Sequence, residues 1–149
     1  MQSRILFIIL ALALGAVLPI QAAINSRLAK TAGSPVVAAF ISFAVGTVVL
    51  IAYLAITRNL NFNWIQTQPS PWWIWVGGIL GTFFVAGIVI LLPKLGVALA
   101  FSLVIAGQMI TAIIFDHFGW LGTSIREISL GRITGALLLI AGVVLIRKF

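Results

Sequence analysis

The sequence predicts an all-α polytopic membrane protein, with five transmembrane helices forming a single domain over residues 1–149. Three observations predict it. Of the 149 residues, 62% are hydrophobic and 7% charged, too little polar surface to keep a water-soluble globule dispersed. The apolar residues fall in runs long enough to cross a hydrocarbon core of roughly 30 Å, which takes about 20 helical residues. Between the runs stand clusters of Gly, Pro and Ser that end one helix and begin the next.

The first span is read over residues 4–23. Its sequence, "MQSRILFIILALALGAVLPIQAA", also has the outline of a secretory signal, but cleavage after Ala23 or Ala22 would put Gln21 or Ile20 where a small residue is required. It is therefore read as a span. The second covers 35–56, introduced by "AGSP", and the third 72–92, introduced by "PSPWW" with Ser70 as N-cap and Pro71 in the first turn. "LPKLG" is a tight link, so the third span and the fourth, 96–118, are expected to be antiparallel neighbours. The fifth has its core at 133–146, extended by Leu130 and Gly131. The loops 58–70 and 119–132 are longer and can lie along the interface, and no length remains for a soluble domain.

There is no cysteine, so thiol and disulfide chemistry are excluded. The net charge of +7 does not indicate a nucleic-acid partner, because the basic residues sit at span ends, where they reach lipid phosphates, and form no stripe interleaved with exposed aromatics. Five spans place the termini on opposite faces. The N-terminal face, side one, then carries Arg4, Arg58, Arg126 and Arg132, whereas side two carries Arg27, Lys30, Lys94, Arg147 and Lys148. Four against five gives the positive-inside rule almost nothing with which to fix orientation. The tryptophans Trp64, Trp72, Trp73, Trp75 and Trp120 all fall on side one, although aromatic belts normally line both interfaces. Two oppositely inserted copies would supply one belt to each face. Chance charge balance, or an extrinsic partner that fixes orientation, would account for the same counts.

Small residues at four-residue spacing mark helix contact faces in lipid. Ala38, Ser42 and Gly46 form one such stripe, Gly77 and Gly81 a second, Gly96, Ala100, Gly107 and Thr111 a third, and Gly131, Gly135 and Gly142 a fourth. Packing within one protomer accounts for most of them. The last stripe, on a helix without polar mid-span groups, is the expected dimer contact. Amides at bilayer depth require partners, because an unsatisfied one costs several kcal/mol. Gln21 and Asn25, four apart near the side-two end of span one, and Gln108, mid-span, either line a solute path or bond neighbouring helices as packing glue. Pro19 can free a backbone carbonyl beside them.

Asp116 and His117 lie roughly 12 Å along the helix from Gln108, at the side-one interface. Two roles are open. Asp116 can organise the following loop by bonding its backbone or by pairing with Arg126 or Arg132, with His117 finishing the helix and Gly119 making the turn. Alternatively, it is a coupling carboxylate at a cavity mouth that attracts cations or exchanges protons.

On "GAVLPIQAAINSRL", "GSPVVAAFISFAVGT", "PWWIWVGGILGTFFV", "LPKLGVALAFSLVIAGQ", "DHFG" and "SLGRITGALLLIAGVVLI", the sequence resembles the drug/metabolite transporter superfamily. Within it, the resemblance is to the YdcZ-type family of inner-membrane exporters, over nearly the whole chain. The resemblance implies a bacterial inner-membrane location and a five-helix half-transporter. Larger superfamily members are similar to two such units in inverted orientation, and single short chains look like antiparallel dimers. It supplies no substrate and no cofactor. Small multidrug exporters of the superfamily rely on a glutamate in their first span, and this chain has none there.

The expected function is secondary transport of a small-molecule solute, by alternating access in a dual-topology dimer made with a second copy or a close paralogue. A small dual-topology channel is the alternative. An enzyme of lipid metabolism is disfavoured, because no second carboxylate or metal-ligand cluster accompanies Asp116 and His117. A non-transporting assembly partner is the remaining class.

Overall fold

The computed structural model describes residues 2–58 and 71–149, with side chains from residue 4 onward. Five helices dominate: α1 (Gln2–Ala32), α2 (Pro35–Ile56), α3 (Val76–Leu95), α4 (Val97–Phe118) and α5 (Leu130–Lys148). Short 3-10 turns, Trp72–Trp75 and Trp120–Gly122, precede α3 and follow α4. All five helices are long and apolar enough to cross a membrane, so every predicted span is present. Trp64 of the expected aromatic belt and Ser70, the expected cap of span three, lie outside the described residues.

Several boundaries differ from the sequence reading, each for a local reason. α1 continues nine residues past the predicted end, because "INSRLAKTA" is polar but still rich in helix formers. It stops only at Gly33, whose φ of 71° is the left-handed value that glycine adopts without penalty. Ser34 then caps α2, its hydroxyl accepting from the Val37 N–H at 3.4 Å, with Pro35 at the first helical position. Pro71 precedes the third helix rather than lying in its first turn: its backbone is extended, and its carbonyl accepts from Ile74 N–H at 3.2 Å to close a 3-10 turn. α3 runs through Pro93 to Leu95, and the chain turns at Gly96, with φ 76°.

The chain divides into two compact units, 1–93 and 94–149. In the first, α1 and α2 pack as a hairpin. Ala22, Ala38 and Ala39 are buried there, the small side chains that let two backbones approach in lipid. α3 approaches α2 at Gly81, where an added Cβ would lie 3.7 Å from Cζ of Phe43. That glycine therefore serves contact within the protomer. In the second unit, α4 and α5 form another hairpin, and Ser129 caps α5 by accepting from Arg132 N–H at 3.4 Å. Among the described residues, and apart from the chain neighbours and the helix's own backbone, no atom lies within 4 Å of a Cβ added at Gly77, Gly131, Gly135 or Gly142. The remaining helix surfaces are apolar and open, Leu12, Ile79, Phe83 and Leu138 among them, as lipid contact requires.

Candidate functional site

Four hydroxyl groups within the spans are satisfied by their own helices, whereas Ser42 and Thr111 make no such bond among the described residues. Thr47 donates to Phe43 O at 2.8 Å, Thr82 to Gly78 O at 2.9 Å, Ser102 to Ala98 O at 2.7 Å and Thr134 to Leu130 O at 2.8 Å. Each bond reaches back one turn and leaves no polar demand on a neighbour. The amides behave differently. Asn25 is only 3% exposed, and its buried Nδ2 has no hydrogen-bond partner among the described residues. Gln21 borders a cavity of about 250 Å³ between α1 and α2, lined also by Ser42, Phe43, Gly46, Thr47 and Leu50. Gln108 is exposed on α4. The side-chain amides of Gln21 and Gln108 have no protein partner among the described residues.

The sequence reading put Gln21 and Asn25 on one face, and the structure separates their surroundings: Gln21 reaches the cavity, whereas Asn25 is buried and does not border it. Ser42 and Phe43 were not recognised as companions of Gln21. Their membership depends on how α1 and α2 are registered, and the only advance signal was Ser42 and Gly46 in one small-residue stripe.

Asp116 and His117 occupy the last turn of α4. The helix ends at Gly119, φ 63°, whose N–H donates to Phe115 O, as the glycine in "DHFG" suggested. A Cβ there would also meet Ile125 Cγ1 at 2.8 Å, so both backbone conformation and space call for glycine. Beyond it the loop is tied back to the helix. Thr123 Oγ1 lies 3.0 Å from Phe115 O and from Trp120 O, Arg126 N–H donates to Asp116 O at 2.7 Å, and Arg132 Nη1 donates to Arg126 O at 3.0 Å. The Asp116 carboxylate pairs with Nη2 of Arg132, the second of the two arginines considered as its partner. Trp120 packs edge-on to Phe115 at 5.6 Å and stacks on Phe118 at 5.3 Å. His117 packs edge-on to Phe118 at 4.8 Å, and its buried Nδ1 has no partner among the described residues.

Both members of the Asp116–Arg132 pair are less than a third exposed, so water screens the interaction only partly. Changing Asp116 to asparagine keeps an acceptor and removes the charge. It is expected to lower stability by about 1.5–3 kcal/mol, the value of a hydrogen bond to a charged group. Thermal unfolding in detergent measures it, and an unchanged midpoint would dismiss a loop-organising role. Among the described residues no group of three or more His, Cys, Asp or Glu could hold a metal ion.

Five apolar helices with unpartnered amides inside their spans define a small multi-pass membrane protein. The family model described as "Putative inner membrane exporter, YdcZ" matches residues 6–145, and the chain belongs to this family of the inner membrane, a family of exporters and not of enzymes. It is 26% identical over 147 residues to the inner membrane protein YdcZ of Escherichia coli (strain K12), covering 99% of this chain and 97% of that one. No solved structure matches.

Proposed function

We propose that the chain is a secondary transporter that exports a small molecule by alternating access, as one half of an antiparallel, dual-topology pair with a second copy or a close paralogue. Gln21, Asn25 and Gln108 line the solute path, and Gly131, Gly135 and Gly142 contribute to the dimer contact. The observation that carries this reading is that the amides of Gln21, Asn25 and Gln108, inside the spans, have no partner among the described residues. An amide can both donate and accept, so it suits a solute that arrives with its own polar groups. The open Cβ positions at the three α5 glycines support close approach by another helix.

The test begins with ligand-induced thermal shifts across a metabolite and drug panel, since binding raises stability by RT ln(1 + [L]/Kd) whatever the mechanism. The solute so found is then followed in liposomes. Gln108→Leu is expected to abolish its flux while changing stability by less than about 1 kcal/mol, because no bond within the protein is lost. Unimpaired flux in that variant would remove Gln108 from the path. Saturable, slow flux is the expected rate behaviour, whereas unsaturated single-channel currents would replace the transporter by a pore.

A further inference from the structure

The side-two end of α1 carries a second cavity, of about 500 Å³, lined by Ala23, Ser26, Arg27, Lys30 and Thr31. This spacing runs through one face of the helix, with the short Ala23 side chain leaving room beside the longer ones. Arg27 lies about 140° around the helix from the buried Ala22, so this face is turned well away from the one α1 buries. Arg27 and Lys30 are exposed, and neither makes an ion pair among the described residues.

Their own chain offers few groups that could neutralise them. It contains two acidic residues, Asp116 and Glu127. Asp116, in the last turn of α4, is held by Arg132, and Glu127 lies in the α4–α5 connection. The carbonyl end of α1 contributes about half a negative charge, well short of the two full positive charges beside it.

We propose that Ser26, Arg27, Lys30 and Thr31 form a binding site for a phosphate group. Phosphate offers several acceptor oxygens, enough for a guanidinium fork, an ammonium and the Ser26 hydroxyl at once, with Thr31, whose Oγ1 donates to Arg27 O at 3.5 Å, bordering the site; such charge-assisted bonds are the strong ones. The residues follow directly on the apolar part of α1. The phosphate comes from a lipid headgroup or from a soluble solute. The site does not depend on the transport reading above.

The test uses the full chain in neutral detergent, with the unfolding midpoint followed during titration. The probes are short-chain phosphatidylglycerol, short-chain phosphatidylcholine as its zwitterionic control, and sodium phosphate against sodium chloride at equal ionic strength. Phosphatidylglycerol or inorganic phosphate is expected to raise the midpoint. The double change Arg27→Gln with Lys30→Gln should weaken apparent affinity by about tenfold or more, the cost of losing one charge-assisted contact. Arg147→Gln with Lys148→Gln removes two positive charges from another helix end and should leave affinity within about threefold, a difference under about 1 kcal/mol. A response to phosphatidylglycerol alone assigns the site to lipid, and a response to inorganic phosphate assigns it to a soluble solute. No rise with either probe, or equal weakening in both double variants, overturns the proposal. Should the first double variant fail to fold, Lys30→Gln alone is read by the same criterion.

Discussion

Reporters fused to Phe149, one active only in the cytoplasm and one only in the periplasm, are both expected to give signal. Four basic residues on side one against five on side two leave either insertion almost equally favourable. Three lysines added within residues 59–70 would make that count seven against five and draw side one to the cytoplasm. Five spans place Phe149 on side two, so the periplasmic signal should then grow at the expense of the cytoplasmic one. At about 1 kcal/mol per lysine beside an anionic leaflet, the ratio should move on the order of a hundredfold. Signal from one reporter alone in the unmodified protein would exclude dual topology and, with it, the antiparallel homodimer.

Changing Asn25 to alanine is expected to separate transport from stability. The buried Nδ2 has no partner to lose, and a buried donor left unpaired already costs about 1–3 kcal/mol. Removing it offsets the small void left behind, so stability should change by less than about 1 kcal/mol. If a solute accepts from Nδ2 during transport, flux should fall about tenfold to a hundredfold, the equivalent of one hydrogen bond to a polar or charged group. Flux and unfolding of the same preparation decide the matter. Full flux would take Asn25 out of the solute path, and a large loss of stability would make its amide packing glue.

The spans were legible because run length and hydropathy are properties of the chain alone, and lipid imposes them helix by helix. Helix ends are less legible, because the limit of an apolar run is not the limit of the helix. α1 leaves the apolar run near Ile24 yet stays helical to Ala32, and Pro93 sits inside α3 rather than ending it. Gly33, Gly96 and Gly119, all with positive φ, are the true stops. The site was less legible. That Asp116 would meet an arginine followed from two arginines a short loop away, but the choice of Arg132 depends on how the loop folds back through Thr123 and Arg126. The cavity of Gln21 with Ser42, and the contact of Gly81 with Phe43, join residues of different helices. Their register lies outside any single span.

The tie between Arg132 and Asp116 has a mechanical consequence for α5. Arg132 is fastened at one end of the helix, and Arg147 and Lys148 occupy the other. From position 132 to position 147 there is about 22 Å of helix at 1.5 Å per residue, less than the roughly 30 Å of hydrocarbon it must cross. A helix with such hydrophobic mismatch has no length to spare for tilt. Such a short helix is accommodated by snorkelling of its terminal cations, local thinning of the bilayer or association with another helix, which makes the acyl-chain length of the host membrane a determinant of how comfortably this last helix is seated.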